Sequence, residues 1–396
     1  MVHEAVPKEN AGTSVPKLGT IYFYLTEGCN LRCRHCWIEP PHQSENKQFP
    51  SLDPDLFRSI LKQARPLGLA SVKLTGGEPL MHPRIGEILE ILRDEKLRFI
   101  VETNGVLCTP ELARDLVRSG INHISVSLDG AVADTHEWVR GVKGCFEAAI
   151  GGIRNLVAAG IRPQVIMTLM RRNVEQIEAL VRLAESLGAS SVKFNIVQPT
   201  ARGVKMHQAG ETLSIREIVN LGTWVENELS STTRVPLHYS HPAAFRLLGK
   251  MFGREGSGCG ICNVHGILGV LGDGSYALCG IGESVPELVF GHAATDALPE
   301  VWHGNPVLRE IREGLPRRLG GICGTCLVKG ICLGSCIAQN YYRSRDLWAP
   351  NWYCEEAYRE GLFPESRRQT QPASVDRQSS RRSQGDFSAR HVQEMS

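Results

Sequence analysis

Eleven of the thirteen cysteines in this chain fall into two spaced groups. The first is Cys29-x3-Cys33-x2-Cys36. The second runs through Cys259, Cys262 and Cys279 to Cys323-x2-Cys326-x5-Cys332-x3-Cys336 and ends at Cys354. Cys108 and Cys145 stand alone and read as small buried residues. Cysteine at such spacings builds either a disulfide framework or a metal framework. With 396 residues the chain can bury a core without covalent staples. No basic-then-apolar signal segment opens it, and an odd number of cysteines leaves a disulfide set unclosed. A reduced, cytoplasmic setting follows, and metal is the preferred reading.

Thiolates are soft ligands, and four cysteines are the usual full set for a 4Fe–4S cluster. Three on one loop therefore leave one position open to an exogenous chelator. A zinc site of three Cys and one His, with His35 or His42 as the fourth ligand, stays open beside it. The eight cysteines of the second group match two fully ligated clusters, or a pair of zinc ribbons.

The elements that must position these groups follow from periodicity. Strands are expected at Thr20–Leu25, Ser71–Leu74, Phe99–Glu102, His123–Leu128, Gln164–Thr168 and Ser191–Val197. Helices are expected at Pro54–Ala64, Ile85–Asp94, Pro110–Ser119, Cys145–Ala159, Glu175–Leu187 and Ser214–Leu229. Strand–helix alternation implies parallel β/α units, so the fold class is α/β, a partial (β/α)6 TIM-like barrel. In β/α barrels chemistry sits at the C-terminal ends of strands. Cys29, Gly76, Asn104 and Asp129 follow the first four strands in turn. Beyond Gly253 periodicity fades into a small, irregular, Gly- and Cys-rich domain, with short strands at Gly266–Leu271 and Ser275–Leu278. The expected division is 1–17 flexible, 18–230 barrel, 231–254 linker, 255–364 second domain and 365–396 a basic, disordered tail. A net charge of +2 gives no global field for nucleic acid, and no apolar run is long enough to span a membrane.

The triplet with Trp37 after its last cysteine resembles the radical S-adenosylmethionine (radical SAM) superfamily. The likeness extends to Gly76-Gly77-Glu78-Pro79, Glu102-Thr103-Asn104-Gly105 and Ser127-Leu128-Asp129-Gly130, each at the next strand end. It implies that Cys29, Cys33 and Cys36 hold a 4Fe–4S cluster whose open iron binds S-adenosylmethionine (SAM). Gly76 and Gly77 would take the methionine amino group, Glu78 would add negative charge, and Pro79 closes the segment. Asn104 and Ser127 resemble contacts to ribose or the methionine carboxylate, though each also suits a strand-end cap. Arg140 resembles a carboxylate-binding position in the peptide-modifying branch, though a helix-surface salt bridge suits it equally.

The second group resembles the SPASM domain in every gap, including Gly274-x4-Cys279. That likeness implies two auxiliary 4Fe–4S clusters in a crossed pattern: Cys259, Cys262, Cys279 and Cys336 for one, Cys323, Cys326, Cys332 and Cys354 for the other. The implied activity is reductive cleavage of SAM to a 5′-deoxyadenosyl radical that abstracts hydrogen from a ribosomally made precursor peptide, leading to a crosslink, an epimer or backbone excision. A flavodoxin- or ferredoxin-type reductant is implied. Only about twenty residues precede the first strand, against roughly eighty for an independently folding leader-recognition domain, so a small accessory protein is expected. Two alternatives are a sulfatase-type formylglycine maturase and a non-enzymatic multi-cluster electron carrier. In the maturase an Asp follows the Gly-x4-Cys cysteine; here Gly280 does, leaving Asp273 and Glu283 as substitutes.

Overall fold

The computed structural model describes residues 15–45, 48–252 and 262–369. Each expected strand and helix of the first half forms with ends within two residues of the expected ones. The order is β1 Thr20–Tyr24, α1 Pro54–Ala64, β2 Ser71–Thr75, α2 Ile85–Glu95, β3 Arg98–Thr103, α3 Pro110–Arg118 and β4 His123–Ser127. Then come α4 Ala133–Arg140, α5 Cys145–Ala158, β5 Gln164–Leu169, α6 Ile177–Ser186, β6 Ser191–Ile196, α7 Arg202–Gln208 and α8 Ile215–Asn227. The helices start where capping chemistry allows. The Asp53 side chain accepts the N–H groups of Asp55 and Leu56 at α1, with Pro54 in the first position. Ser214 and Glu217 form a reciprocal capping box at α8.

β1 to β6 are all parallel and in sequence order, so every C-terminal strand end lies on one rim. Alternation sorts the side chains. Ile21 and Phe23 point outward into the helix layer, where the Phe23 ring sits 4.4 Å from Phe57. Tyr22 and Tyr24 point the other way, into the barrel lumen, and line a cavity there.

Two features depart from the sequence reading. A seventh parallel strand, β7 Leu237–Tyr239, pairs with β6 inside the segment read as a linker. The C-terminal domain, in which the two expected short strands form, also joins the sheet of the barrel. After α9 Leu248–Phe252, β8 Ile267–Val270 pairs in parallel with β1, followed by antiparallel β9 Ser275–Ala277 and β10 Val289–His292. One ten-stranded sheet results, in the order β10-β9-β8-β1-β2-β3-β4-β5-β6-β7. Six short helices follow: α10 Leu298–Gly304, α11 Pro306–Gly314, α12 Gly321–Thr325, α13 Lys329–Cys332, α14 Ile337–Ser344 and α15 Trp352–Arg359. All but α11 are shorter than α3 and too short to carry a legible period.

The ends also differ from expectation. Pro16 O accepts the Trp302 indole N–H at 2.9 Å, so 15–17 pack on the second domain. Residues 365–369 strap its cysteines: Leu327 N–H donates to Arg367 O at 2.8 Å and Gln369 N–H to Thr325 O at 2.9 Å. The rest of the expected flexible N-terminus and basic tail lies outside the described residues.

Candidate active site

The triplet loop is built from backbone ties. Cys29 N–H donates to Pro41 O at 3.0 Å and Cys29 O accepts Gln43 N–H at 2.9 Å. Arg32 and Arg34 N–H donate to Arg140 O and Val139 O, both at 2.9 Å, docking the loop on the end of α4. Arg202 closes the other side, giving Nη1 to Cys33 O at 3.3 Å and Nη2 to Pro40 O at 3.1 Å. Two sulfurs already receive donors: Leu31 N–H to Cys29 Sγ and Arg140 Nη1 to Cys33 Sγ, both at 3.4 Å. Burial, followed by the neighbouring Cys33, pushes the Cys36 thiol up to about 11. His42 is not a fourth ligand. Its Nε2 faces Asn30 O at 3.2 Å and its Nδ1 faces Ser44 Oγ at 2.8 Å. His35 Nε2 faces Asp129 Oδ2 at 3.8 Å, and its buried Nδ1 has no partner.

The Gly-Gly-Glu-Pro segment lies against this loop. Gly77 N–H donates to Thr26 O at 2.9 Å and Glu78 N–H to Gly28 O at 3.0 Å. A Cβ on residue 77 would stand 2.1 Å from Gly28 O, and Gly76 has φ +132°, so both positions require glycine. Pro79 opens a single 3-10 turn. The Glu78 carboxylate is not free charge for a ligand. It accepts Thr103 Oγ1 at 2.7 Å, Leu80 N–H at 3.1 Å and Asn104 N–H at 2.8 Å. Burial raises its pKa while those three donors oppose the rise. Its role is to clamp the end of β2 to the end of β3.

Asn104 caps as well as lines. Its Oδ1 accepts Val106 N–H at 3.0 Å and its Nδ2 donates to Asn30 Oδ1 at 2.6 Å. Ser127, at the end of β4, faces the cavity half-buried. Arg140 is buried, not on the helix surface. Its Nη2 lies 2.7 Å from Asp129 Oδ2 while its Nη1 serves Cys33, so no free two-pronged face remains for a carboxylate. Asp129 is fully buried and takes Thr168 N–H at 2.7 Å on its other oxygen. Burial works against its charge, but Arg140 and His35 outweigh it and hold the carboxyl below its ordinary value. Sequence reasoning placed Thr103 and Asp129 in strand-end motifs without giving either a role, and did not single out Asn30 or Arg202.

Across the cavity stand cysteines of the second group. Cys262, Cys279 and Cys336 line the same space of about 450 Å3 as Cys29, Cys33, Cys36, Gly76, Gly77, Glu78, Asn104, Ser127 and Arg140. After burial, Cys336 is the strongest influence on the thiols of both Cys262 and Cys279, and it raises both. Cys259 lies outside the described residues. The remaining four gather elsewhere. The Cys354 thiol is hydrogen-bonded to Cys323, which lowers Cys323 and raises Cys354, and Cys326 and Cys332 act on Cys354 electrostatically. The structure thus separates Cys336 from Cys332, four residues away, into different gatherings. Cys108 and Cys145 are buried, and Cys145 packs with Cys29, Leu31 and Cys33.

The position after Cys279 is sterically closed. A side chain at Gly280 would begin 2.2 Å from the Tyr24 ring. Neither Asp273 nor Glu283 lines the cavity. Asp273 instead receives Ser275 N–H in the β8–β9 turn. Burial, with Glu27 and Asp273 adding to it, pushes the Glu283 carboxyl up to about 8.

The donor chemistry fits iron–sulfur clusters. Thiols gather in three places, and two sulfurs of the triplet already accept N–H donors. The glycine-walled cavity rim, with Asn104 and Ser127 on it, fits a zwitterionic amino-acid moiety.

The sequence profile of the radical SAM superfamily matches residues 23–184. The AdoMet-dependent heme synthase of Methanosarcina barkeri is 31% identical over 363 residues, covering 89% of this chain and 99% of that protein. The mycofactocin maturase MftC of Mycobacterium tuberculosis is 27% identical over 353 residues, covering 88% of this chain and 85% of that one. Streptococcus suis SuiB, in its crystal structure bound to precursor peptide SuiA, superposes with a TM-score of 0.65 at 17% identity. That match covers 86% of this chain and 76% of SuiB, and the likeness is one of fold.

Proposed function

We propose that this chain, which belongs to the radical SAM superfamily, is a peptide maturase acting on a ribosomally made precursor. One observation carries the reading: a single cavity is walled by the triplet and the Gly-Gly-Glu-Pro segment on one side and by Cys262, Cys279 and Cys336 on the other. Substrate entering it meets both walls at once. The cavity is the size of one drug-sized ligand, about 300–1,000 Å3 by general experience.

In this reading Cys29, Cys33 and Cys36 hold the SAM-binding cluster, while Cys259, Cys262, Cys279 and Cys336 hold one auxiliary cluster and Cys323, Cys326, Cys332 and Cys354 the other. Bound SAM and its reduced cluster supply a 5′-deoxyadenosyl radical able to take a hydrogen atom from an unactivated carbon. The residues of the chain position and shield. Gly76 and Gly77 expose backbone to the methionine amino group, and Asn104 and Ser127 present polar ends toward ribose or carboxylate. Glu78 fixes the two strand ends that carry them. Arg140, neutralised by Asp129, gives its hydrogen bond to Cys33. The proposal includes a cytoplasmic setting, a low-potential flavodoxin- or ferredoxin-type donor and an accessory protein that presents the leader. Tight binding of leader peptide by the enzyme alone would remove the accessory protein from it.

A second reading has a specific support, the 31% identity to a heme synthase over almost its whole length. It makes the substrate a tetrapyrrole. Anaerobic enzyme with reductant and SAM, offered precursor peptides encoded beside its gene or iron coproporphyrin III, separates the two by mass spectrometry. A mass change in a peptide supports the maturase. A change in the porphyrin alone overturns it.

A further inference from the structure

The cavity wall carries a cation with no place in the roles above. Lys73 Nζ lies 2.6 Å from Glu102 Oε1 and 4.9 Å from the centroid of the Tyr22 ring. Its side chain is only 16% exposed. Sheet register explains where the charge points. Tyr22 pairs with Lys73 across β1 and β2, and with Gly269 across β1 and β8. Gly269 abuts Cys279: a Cβ there would stand 2.8 Å from Cys279 Cα. One row of the sheet thus runs from Lys73 through Tyr22 to the backbone of Cys279. Lys73, Cys262, Cys279 and Cys336 face the same cavity.

A lysine placed in a barrel lumen gives up hydration, and a hydrocarbon side chain would pack there at less cost. Glu102 is the carboxylate that meets it. Burial opposes the charge of Glu102, but Lys73, joined by Lys193 and His123, outweighs burial and holds that carboxyl below its ordinary value. The triplet has cations of its own, Arg140 on Cys33 and Arg202 near Cys36.

We propose that Lys73 and Glu102 are a charge pair that sets the reduction potential of the cluster held by Cys262, Cys279 and Cys336. This rests on the ligand reading given under Proposed function. An added electron makes the cluster more negative, so the nearby ammonium stabilises the reduced form and raises the potential. Glu102 acts with the opposite sign, damping the effect of Lys73. The pair is a positioning device for charge and touches no substrate.

The test is an EPR-monitored redox titration of reconstituted full-length protein carrying C29A/C33A/C36A, which leaves only the auxiliary clusters. Lys73→Met should lower one of the two midpoints, Glu102→Gln should raise that same midpoint, and Lys73→Arg should leave it in place. The other midpoint should stay still throughout. Opposite signs from two variants cannot come from general loosening of the fold. With iron near eight per chain, two clusters of four, unmoved midpoints or shifts of equal sign overturn the proposal alone. Iron well below about eight in the background protein overturns the ligand reading, and the proposal with it.

Discussion

The carboxylate of Glu78 and the backbone N–H of Asn104 meet at 2.8 Å across the ends of β2 and β3. Two sequence motifs that resemble separate ligand contacts are therefore one mechanical unit. Thr103 Oγ1 completes it at 2.7 Å on the other carboxylate oxygen.

Glu78→Ala should therefore damage SAM binding indirectly. It strands three donors in a buried site, each worth roughly 1–3 kcal/mol when left unsatisfied. The expected result is a lower melting temperature together with at least about a tenfold weaker SAM affinity, about 1.4 kcal/mol. Glu78→Gln, which keeps one acceptor oxygen, should fall between. Anaerobic equilibrium dialysis with SAM, alongside thermal denaturation, reads both. Unchanged affinity in the alanine variant would show that Asn104 does not depend on the clamp.

The buried pair Asp129–Arg140 predicts strong coupling. Breaking such a pair by removing one partner costs about 3–5 kcal/mol, because the other charge stays buried alone. Asp129→Asn and Arg140→Met should each destabilise strongly, and the double variant should lose less than the sum. Denaturant melts of the four proteins give the coupling, expected on the order of 1–3 kcal/mol. Additive losses would mean that the 2.7 Å contact carries no energy of its own.

Much of this architecture was legible in order along the chain. The strands beginning at Thr20, Ser71, His123, Gln164 and Ser191 stand out as short apolar runs, and α1 to α3 open on Pro54, Ile85 and Pro110 as periodicity and proline placement imply. Helix α4 was missed because its eight residues, Ala133–Arg140, show no apolar stripe long enough to count. Strand β7 has three residues and no period at all. The cysteine groups were legible because ligand spacing on a loop is local. The meeting of Asp129 with Arg140, of Lys73 with Glu102, and of β8 with β1 depends on register between distant segments, which no local pattern encodes. Gly280 shows the difference in kind. The sequence reveals a missing carboxylate there; the structure adds that Tyr24 fills its place.

That exchange predicts a steric rescue. Gly280→Asp places a side chain within 2.2 Å of the Tyr24 ring and should cost stability and expression as soluble protein. Adding Tyr24→Ala should restore much of the loss by opening the volume that the ring occupied. Comparison of melting temperatures for the single and double variants is sufficient. If Gly280→Asp alone melts like the parent, the contact between Tyr24 of β1 and the turn after β9 is looser than its geometry implies.

Glu283 gives a pH dependence of definite sign. Burial, with Glu27 and Asp273 beside it, raises the carboxyl from its ordinary 4.5 to about 8 in the folded protein. Below the unfolded value both states are protonated and the residue contributes nothing to the difference. As pH climbs through the window from 4.5 to 8 the unfolded chain releases this proton while the folded chain retains it, so stability falls. Above about 8 the folded protein carries the full penalty of a buried carboxylate facing two others. Glu283→Gln removes that titration, since an amide of the same shape cannot ionise. Melting curves of the variant and its parent should coincide at pH 4 and diverge steadily toward pH 8, with the glutamine protein the more stable. A gap of constant size across that range would mean that the stability difference comes from packing of the amide and not from the proton.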